Sequence, residues 1–91
     1  MIKYLVKETS TATKANPSYA GDVEITYFGR EGKMIKREGS HLPNINYDRT
    51  GYMLKGYGYD DIGHAKQSYA YKHPVNTEFW QSTVEIVAIE V

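Results

Sequence analysis

Residues 83–91 read TVEIVAIEV, and this stretch decides the fold class because it is the clearest strand pattern in the chain. Apolar residues at 84, 86 and 88 point to one face of such a strand, and those at 87, 89 and 91 point to the other. A strand that is apolar on both faces is usually covered on both. The pattern therefore predicts a central strand of a sheet, partly covered on each side.

A helical pattern precedes this strand. Apolar residues at 62, 65, 69 and 70 lie at helical spacing. Asp60 or Asp61 is the predicted N-cap, because a carboxylate there accepts hydrogen bonds from the free amides of the first turn. Lys72 and His73 suit the negative end of the helix dipole, and Pro74 ends the helix. We therefore predict one helix between residues 60 and 73.

The first half of the chain contains strand patterns separated by irregular segments. The predicted strands are residues 2–9, 23–28, 33–38 and 52–55. Residues 29–32 form a hairpin turn, and residues 10–22 and 39–50 are predicted to be irregular. The order is β-β-β-β-α-β. It predicts one α+β domain over residues 1–91, with a four- to five-stranded, mostly antiparallel sheet and one helix packed on it.

Composition excludes several classes of protein. The chain has 91 residues, 11 Lys plus Arg, 11 Asp plus Glu and no cysteine. A neutral chain is neither a strongly basic nucleic-acid binder nor an acidic DNA mimic. The absence of cysteine excludes disulfides and thiolate catalysis and fits a cytoplasmic location. No apolar run approaches a membrane span, and the first residues are too polar for a signal peptide. A core this small would gain stability from homo-oligomerisation.

The stretch GYGYDD at residues 56–61 most resembles a site. Its glycines do not match the G-x-G-x-x-G spacing of a dinucleotide loop, and Asp60 and Asp61 would repel a phosphate. One carboxylate pair is also too few oxygen ligands for a divalent cation. We therefore predict no cofactor and no metal. Tyr57 and Tyr59 beside the two aspartates instead predict a corner that contacts a protein partner.

Catalytic patterns are missing from the sequence. The chain has no G-x-S-x-G motif, no cysteine nucleophile and no H-E-x-x-H pair among its three histidines. No pair of carboxylates is set in an apolar stretch that would tune it for acid-base work. The sequence therefore predicts a protein that binds and does not catalyse.

The predicted hairpin suggests a second kind of partner. Arg30, Lys33, Lys36 and Arg37 are close in sequence to Tyr27. Basic residues that follow a phosphate backbone, with rings that stack on bases, are typical of single-stranded nucleic-acid binders. A small single-stranded nucleic-acid-binding protein is therefore the alternative hypothesis.

The second half of the chain resembles a known class of proteins. The stretches GHAKQSYAYKH and NTEFWQSTVEIVAIEV, within residues 51–91, are similar in layout to small accessory proteins of bacteriophages and other mobile elements. The resemblance implies a protein of the host bacterial cytoplasm that inhibits host defence by stoichiometric binding, as anti-CRISPR proteins do. The neutral charge departs from the acidic DNA mimics of that class. It favours an inhibitor that binds a CRISPR effector complex, such as Cas9, through an ordinary protein interface.

Candidate interface residues come from the corner, the hairpin turn and the second irregular segment: Tyr57, Tyr59, Asp60, Asp61, Tyr47, Arg30 and Lys33. Phe79 and Trp80 are adjacent, so in an extended chain they point to opposite faces. The sequence does not decide whether Trp80 is buried or is an exposed anchor. A structural phage or plasmid component, which would assemble with itself, is a third hypothesis.

Overall fold

The computed structural model of the chain describes residues 1–39, 45–46 and 50–91. An antiparallel sheet organises these residues, with four main strands and a two-residue strand at one edge, in the order β4-β3-β2-β1-β5. The elements along the chain are β1 (Ile2–Ala12), β2 (Val23–Phe28), β3 (Met34–Gly39), β4 (Ile45–Asn46), α1 (Thr50–Tyr57), α2 (Ile62–Lys66), α3 (Tyr69–Lys72) and β5 (Trp80–Glu90).

The strand β1, one of two strands of 11 residues, lies inside the sheet between β2 and β5. It pairs with β5 over its whole length, from Ile2↔Glu90 to Ala12↔Trp80, and its second half pairs with β2. The predicted strand ended at residue 9, because Ser10 and Thr11 look like loop residues. Both are held in the sheet by neighbours on each side, and the Ser10 hydroxyl lies 2.5 Å from the Ser82 hydroxyl.

The sheet carries helices on both faces. On one face, Leu5 of β1 and Ile35 of β3 pack against Leu54 of α1, and these three side chains form the buried core cluster. On the other face, α3 lies over the sheet, and the backbone N–H of Val75 donates to the Glu8 carboxylate over 3.2 Å. Burial of apolar side chains at about 25 cal/mol per Å² makes the cluster of Leu5, Ile35 and Leu54 a source of stability.

The chain passes from one face to the other at residues 58–59. Tyr59 exchanges backbone hydrogen bonds of 2.8 and 2.9 Å with Tyr4, so it continues the sheet where β2 has ended. Gly58 is buried beside Lys3, and a Cβ at this position would stand 2.6 Å from the Leu54 carbonyl oxygen. Only glycine leaves room for this crossing.

The structure confirms the α+β class and the antiparallel hairpin of β2 and β3. Of the two predicted N-caps, Asp60 and Asp61, it is Asp61 that caps a helix. The predicted strand at residues 52–55 is wrong. Those residues belong to α1, where Met53, Leu54 and Tyr57 share the face that packs on the core. That spacing of one and four residues is helical, and the short apolar run conceals it.

The predicted single helix is also wrong. In the part of the chain that the structure describes there are three short helices, and α2 and α3 divide the predicted one. Ser68 explains the break: its hydroxyl donates to the Ala65 carbonyl over 2.7 Å and accepts from the Tyr71 N–H over 3.3 Å. A serine in this position ends one helix and caps the next.

The predicted central position of the last strand is wrong as well. Within the described residues β1 is the one strand that pairs with β5, apart from an isolated bridge of Gln81 to Asn76, so β5 forms an edge of the sheet. Its two apolar faces arise because α2 and the core cluster cover part of each side, while Ala88 remains exposed. Both the middle and the edge of a sheet can therefore produce the same sequence pattern. The predicted irregular segment around Pro43 lies outside the described residues.

Candidate protein interface

The first part of the candidate interface is the turn between β2 and β3. The Gly29 N–H donates to the Lys33 carbonyl over 2.8 Å, and the Lys33 N–H donates to the Arg30 carbonyl over 3.1 Å. Glu31 adopts φ 60°, in the left-handed region that residues other than glycine rarely occupy. Gly32 follows with φ 69°. The turn therefore exposes Arg30, Glu31 and Lys33 on a backbone of defined shape.

The second part is the corner that links α1 to α2. Tyr59 is fixed by its bridge to β1, and Asp61 caps α2 by accepting the Gly63 N–H over 2.8 Å. Tyr57 and Tyr59 are half-buried, whereas Asp60 and Asp61 are exposed. Residues 56–61 therefore form a rigid corner, with the rings partly packed and the carboxylates at the surface.

The turn and the corner touch each other. A Cβ on Gly29 would stand 2.5 Å from the Tyr57 carbonyl oxygen, which measures how closely the two backbones approach. The Arg30 guanidinium donates to the Gly56 carbonyl, and Lys33 Nζ lies 5.3 Å from the centre of the Tyr57 ring. The fold thus brings together two segments of the candidate interface that are about 25 residues apart in sequence. Tyr47 lies outside the described residues.

The ion pair between Lys3 and Asp60 alters the charge of the corner. Lys3 lies in β1 with its side chain only 8% exposed, whereas the Asp60 side chain is 74% exposed. The hydrogen bond from Lys3 and its positive charge hold the pKa of Asp60 below its ordinary value. Asp60 is therefore ionised but already paired, and Asp61 is engaged in capping. The corner presents less free negative charge than the sequence suggests.

Two surface depressions flank the turn, and Glu31 borders both. One has a volume of about 600 Å³ and lies between the turn and α3; Phe28, Tyr59 and Tyr69 supply its aromatic lining. The other has a volume of about 510 Å³ and lies between the turn and the outer side of α1, where Tyr52 and Lys55 border it. The turn therefore lies between two hollows of the surface.

The basic residues of the hairpin do not form one continuous patch. Lys36 and Arg37 are successive residues of β3, so their side chains leave opposite faces of the sheet. Arg37 pairs with Glu24, and Lys36 lies 2.7 Å from the Glu38 carboxylate. That hydrogen bond raises the pKa of Lys36 above its ordinary value. Tyr27, which lies 5.9 Å from Lys36 Nζ, packs against the core cluster.

Sequence reasoning missed the contribution of α1 to this surface. Tyr52 is 66% exposed and borders the smaller hollow together with Gly56. In a helix, positions 52, 55 and 56 lie away from the face that holds Met53, Leu54 and Tyr57. Helical spacing in residues 50–57 is therefore the signal that would have identified Tyr52 as an exposed ring.

The aromatic pair Phe79 and Trp80 lies at the opposite end of the sheet. Phe79 is 43% exposed, and Trp80 is half-buried with its ring centre 6.5 Å from that of Tyr19. Trp80 is therefore partly packed and is neither a core residue nor a free anchor. His64 and His73 are exposed, and His41 lies outside the described residues.

Comparison with protein-family models, curated proteins and solved structures finds no match for this chain. Among the described residues no helix has the length and apolar character needed to span a membrane. In the same ranges no three His, Asp or Glu side chains gather closely enough to hold a metal ion. The turn and the corner are therefore the features of the described residues that bear on function.

Proposed function

We propose that this chain is a phage-encoded anti-defence protein that binds another protein stoichiometrically in the bacterial cytoplasm. Its most specific form is an anti-CRISPR inhibitor that blocks a CRISPR effector complex such as Cas9. The single observation that supports binding is the contact between the Gly29–Lys33 turn and the Tyr57–Asp61 corner. This contact joins half-buried rings and exposed charges into one surface. The assignment to phage and to CRISPR rests on the resemblance of residues 51–91.

The side chains of this surface favour a protein partner. Tyrosine and arginine are the residue types most often found to dominate binding energy at protein interfaces. Tyr52 and Arg30 are exposed here beside the smaller hollow, and Tyr59 lines the larger one. Tyr59 is half-buried and its backbone is bridged to Tyr4, so part of its conformational entropy is already lost before a partner binds.

The backbone beneath these side chains is also preorganised. The close approach of Gly29 to Tyr57 and the hydrogen bond from Arg30 to Gly56 fix the turn against α1. Glu31 occupies a left-handed conformation that costs a non-glycine residue on the order of 1 kcal/mol. Strain of this kind is concentrated at functional sites, and it supports a role for the turn in binding.

The alternative, a single-stranded nucleic-acid binder, has weaker support. Its candidate residues are divided between two faces of the sheet, and Lys36 and Arg37 are each neutralised by a glutamate. A phosphate backbone needs several free cations along one surface. Binding to an oligonucleotide that weakens steeply with salt would favour this alternative over the protein interface.

The proposal is tested by retention of the tagged chain on purified effector complex, with inhibition of target cleavage as the second readout. Lys33→Glu changes a charge in the surface, and Lys14→Glu makes the same change on an exposed loop after β1. Tyr52→Ala removes an exposed ring from the surface. Tyr19→Ala removes one near Ala12, about 25 Å along β1 from the corner at 3.3 Å per residue.

We expect Lys33→Glu and Tyr52→Ala to weaken retention about tenfold or more, since a lost anchor costs above 1 kcal/mol. Lys14→Glu and Tyr19→Ala should retain wild-type binding. Equal losses in all four variants, or no retention of the wild-type chain by any effector complex offered, would contradict the proposal.

A further inference from the structure

The outer side of β5 offers unpaired backbone groups. The Val91 N–H donates to the Met1 carbonyl over 2.8 Å, so the odd-numbered residues of this ladder exchange hydrogen bonds with β1. Antiparallel alternation then turns the N–H and C=O groups of Val84, Ile86 and Ala88 away from β1. Within residues 1–39, 45–46 and 50–91, no hydrogen-bond partner reaches those six groups.

The beginning of the same edge is closed by the chain itself. The Ser82 N–H donates to Asn76 Oδ1 over 3.2 Å, and the Thr77 N–H donates to the Trp80 carbonyl over 2.7 Å. The segment before β5 therefore covers Trp80 to Ser82. The open part of the edge begins after Ser82 and reaches Glu90.

The open edge lacks most of the features that usually prevent sheets from joining, and its charged residues are Glu85 and Glu90. Edge strands are commonly short, bulged or interrupted by proline or lysine. The strand β5 has 11 residues, its register with β1 is continuous, and residues 80–91 contain no proline, lysine or arginine. Valine and isoleucine flank the exposed groups, and these residues favour strand pairing. The edge is therefore built to receive another strand.

We infer that the strand it receives is β5 of a second copy of this chain, paired antiparallel about a twofold axis at Ile86. In this register Ile86 faces its own copy, and Val84 faces Ala88 of the other chain. The outward groups of Val84, Ile86 and Ala88 then meet their partners in about six interchain hydrogen bonds. The two sheets become one, and the open edge disappears.

Side-chain chemistry favours this register over its neighbours. An axis at Glu85 would place two carboxylates directly opposite each other, which destabilises a strand pair. An axis at Val87 would set Glu85 against Ile89 and Glu90 against Val84 of the second chain. With the axis at Ile86, Glu85 alone opposes an apolar residue, Val87, because Glu90 opposes Ser82. Glu85 also keeps Lys7 at 3.5 Å on its own chain, and apolar side chains meet on the other face.

The first test is the mass of the full chain in solution, measured by light scattering during size exclusion at about 100 µM. We expect twice 10.4 kDa. Ile86→Lys places two ammonium groups across the axis and should give a single-chain mass with an unchanged circular dichroism spectrum. Ile62→Lys is the matched control, because Ile62 is 43% exposed on α2 and away from the edge. It should remain a dimer.

The second test fixes the register through single cysteines, since the chain has none of its own. Paired residues of an antiparallel ladder have Cα atoms about 5.5 Å apart, within disulfide range. Ile86→Cys should therefore form a disulfide-linked dimer under mild oxidation. In the Val84→Cys dimer, residue 84 of one chain lies about 13 Å along the strands from residue 84 of the other. This variant should therefore stay reduced.

A single-chain mass for the wild-type chain would overturn the inference, as would a dimer that Ile86→Lys leaves intact. Equal cross-linking of Ile86→Cys and Val84→Cys would overturn the register. A monomer whose binding to another protein is abolished by Ile86→Lys would assign the edge to a partner's strand, against a second copy. None of these outcomes depends on the proposed anti-defence function.

Discussion

Replacement of Gly29 by alanine tests the contact on which the candidate interface depends. The backbone of Gly29 is extended, with φ −104° and ψ −162°, so alanine meets no conformational barrier there. The added methyl group would stand 2.5 Å from the Tyr57 carbonyl oxygen and 3.1 Å from its carbon. Contacts of this kind need about 3.4 Å, so the turn and α1 must separate by about 1 Å.

This separation has a cost that can be measured. Overpacking of a rigid site costs about 1–3 kcal/mol, and a backbone carbonyl at the end of a helix cannot rotate away. The hydrogen bond from Arg30 to Gly56 and the approach of Lys33 to the Tyr57 ring would also lengthen. With an m-value of about 1.5 kcal/mol per M, the urea midpoint should fall by about 0.7–2 M.

Gly56→Ala is the matched control for Gly29→Ala. It lies on the same surface, in α1, and a Cβ there meets nothing within 4 Å. Alanine in a helix is favoured over glycine by up to about 1 kcal/mol, so the midpoint should stay constant or rise. Urea unfolding followed by circular dichroism gives both midpoints. An unchanged midpoint in Gly29→Ala, or an equal loss in Gly56→Ala, would refute the close contact between turn and corner.

Three other substitutions, two of them with a control variant, probe the fold and its charges. Leu5→Ala removes a core side chain that is 1% exposed and should cost about 2–5 kcal/mol in urea unfolding, whereas Ile2→Ala, at 44% exposed, should cost less than about 1 kcal/mol. Glu31→Gly relieves the left-handed φ and should raise the free energy of unfolding by about 0.5 kcal/mol. This value is the cost of the left-handed conformation minus the entropy that glycine loses on folding. A loss of stability would contradict the strain at Glu31. Asp60 has a lowered pKa, so its ion pair with Lys3 stabilises the fold above about pH 4 and is lost as the pH falls through the folded value. Asp60→Asn should therefore weaken the dependence of the free energy of unfolding on pH in the acid range. Asp61→Asn keeps a good N-cap and should preserve that dependence. Identical pH profiles for the two variants would count against the pairing of Asp60 with Lys3.

Local signals in the sequence predicted the hairpin, the N-cap and the faces of the strands. The alternation of residues 23–28 and the glycines of the turn are sufficient for β2 and β3, because hairpin pairing is local. Asp61 was recognised because capping depends on residues within one helical turn. The even and odd faces of β5 were also assigned correctly, since they follow from strand geometry alone.

The errors concern features that distant residues decide. The edge position of β5 depends on which strand pairs with β1, and the sequence pattern of β5 does not contain that information. The helix at Thr50–Tyr57 was missed because its apolar run is short enough to suit a strand. The pairing of Lys3 with Asp60 joins residues 57 positions apart. The sequence therefore did not indicate that a lysine of β1 neutralises one of the two carboxylates of the corner.

The pairing of β1 with β5 also has a consequence for the rate of folding. Ser10 and Ser82, whose hydroxyls meet in this ladder, are 72 positions apart, and the ladder continues to Ile2↔Glu90. Closing so long a loop costs entropy before the contacts formed can compensate for it. We expect the β2–β3 hairpin to form early, because its contacts are local, and β1 to gain its second neighbour only in a late step. We therefore expect slow folding in which β5 docks last, with the flank of β1 exposed to other chains until it does.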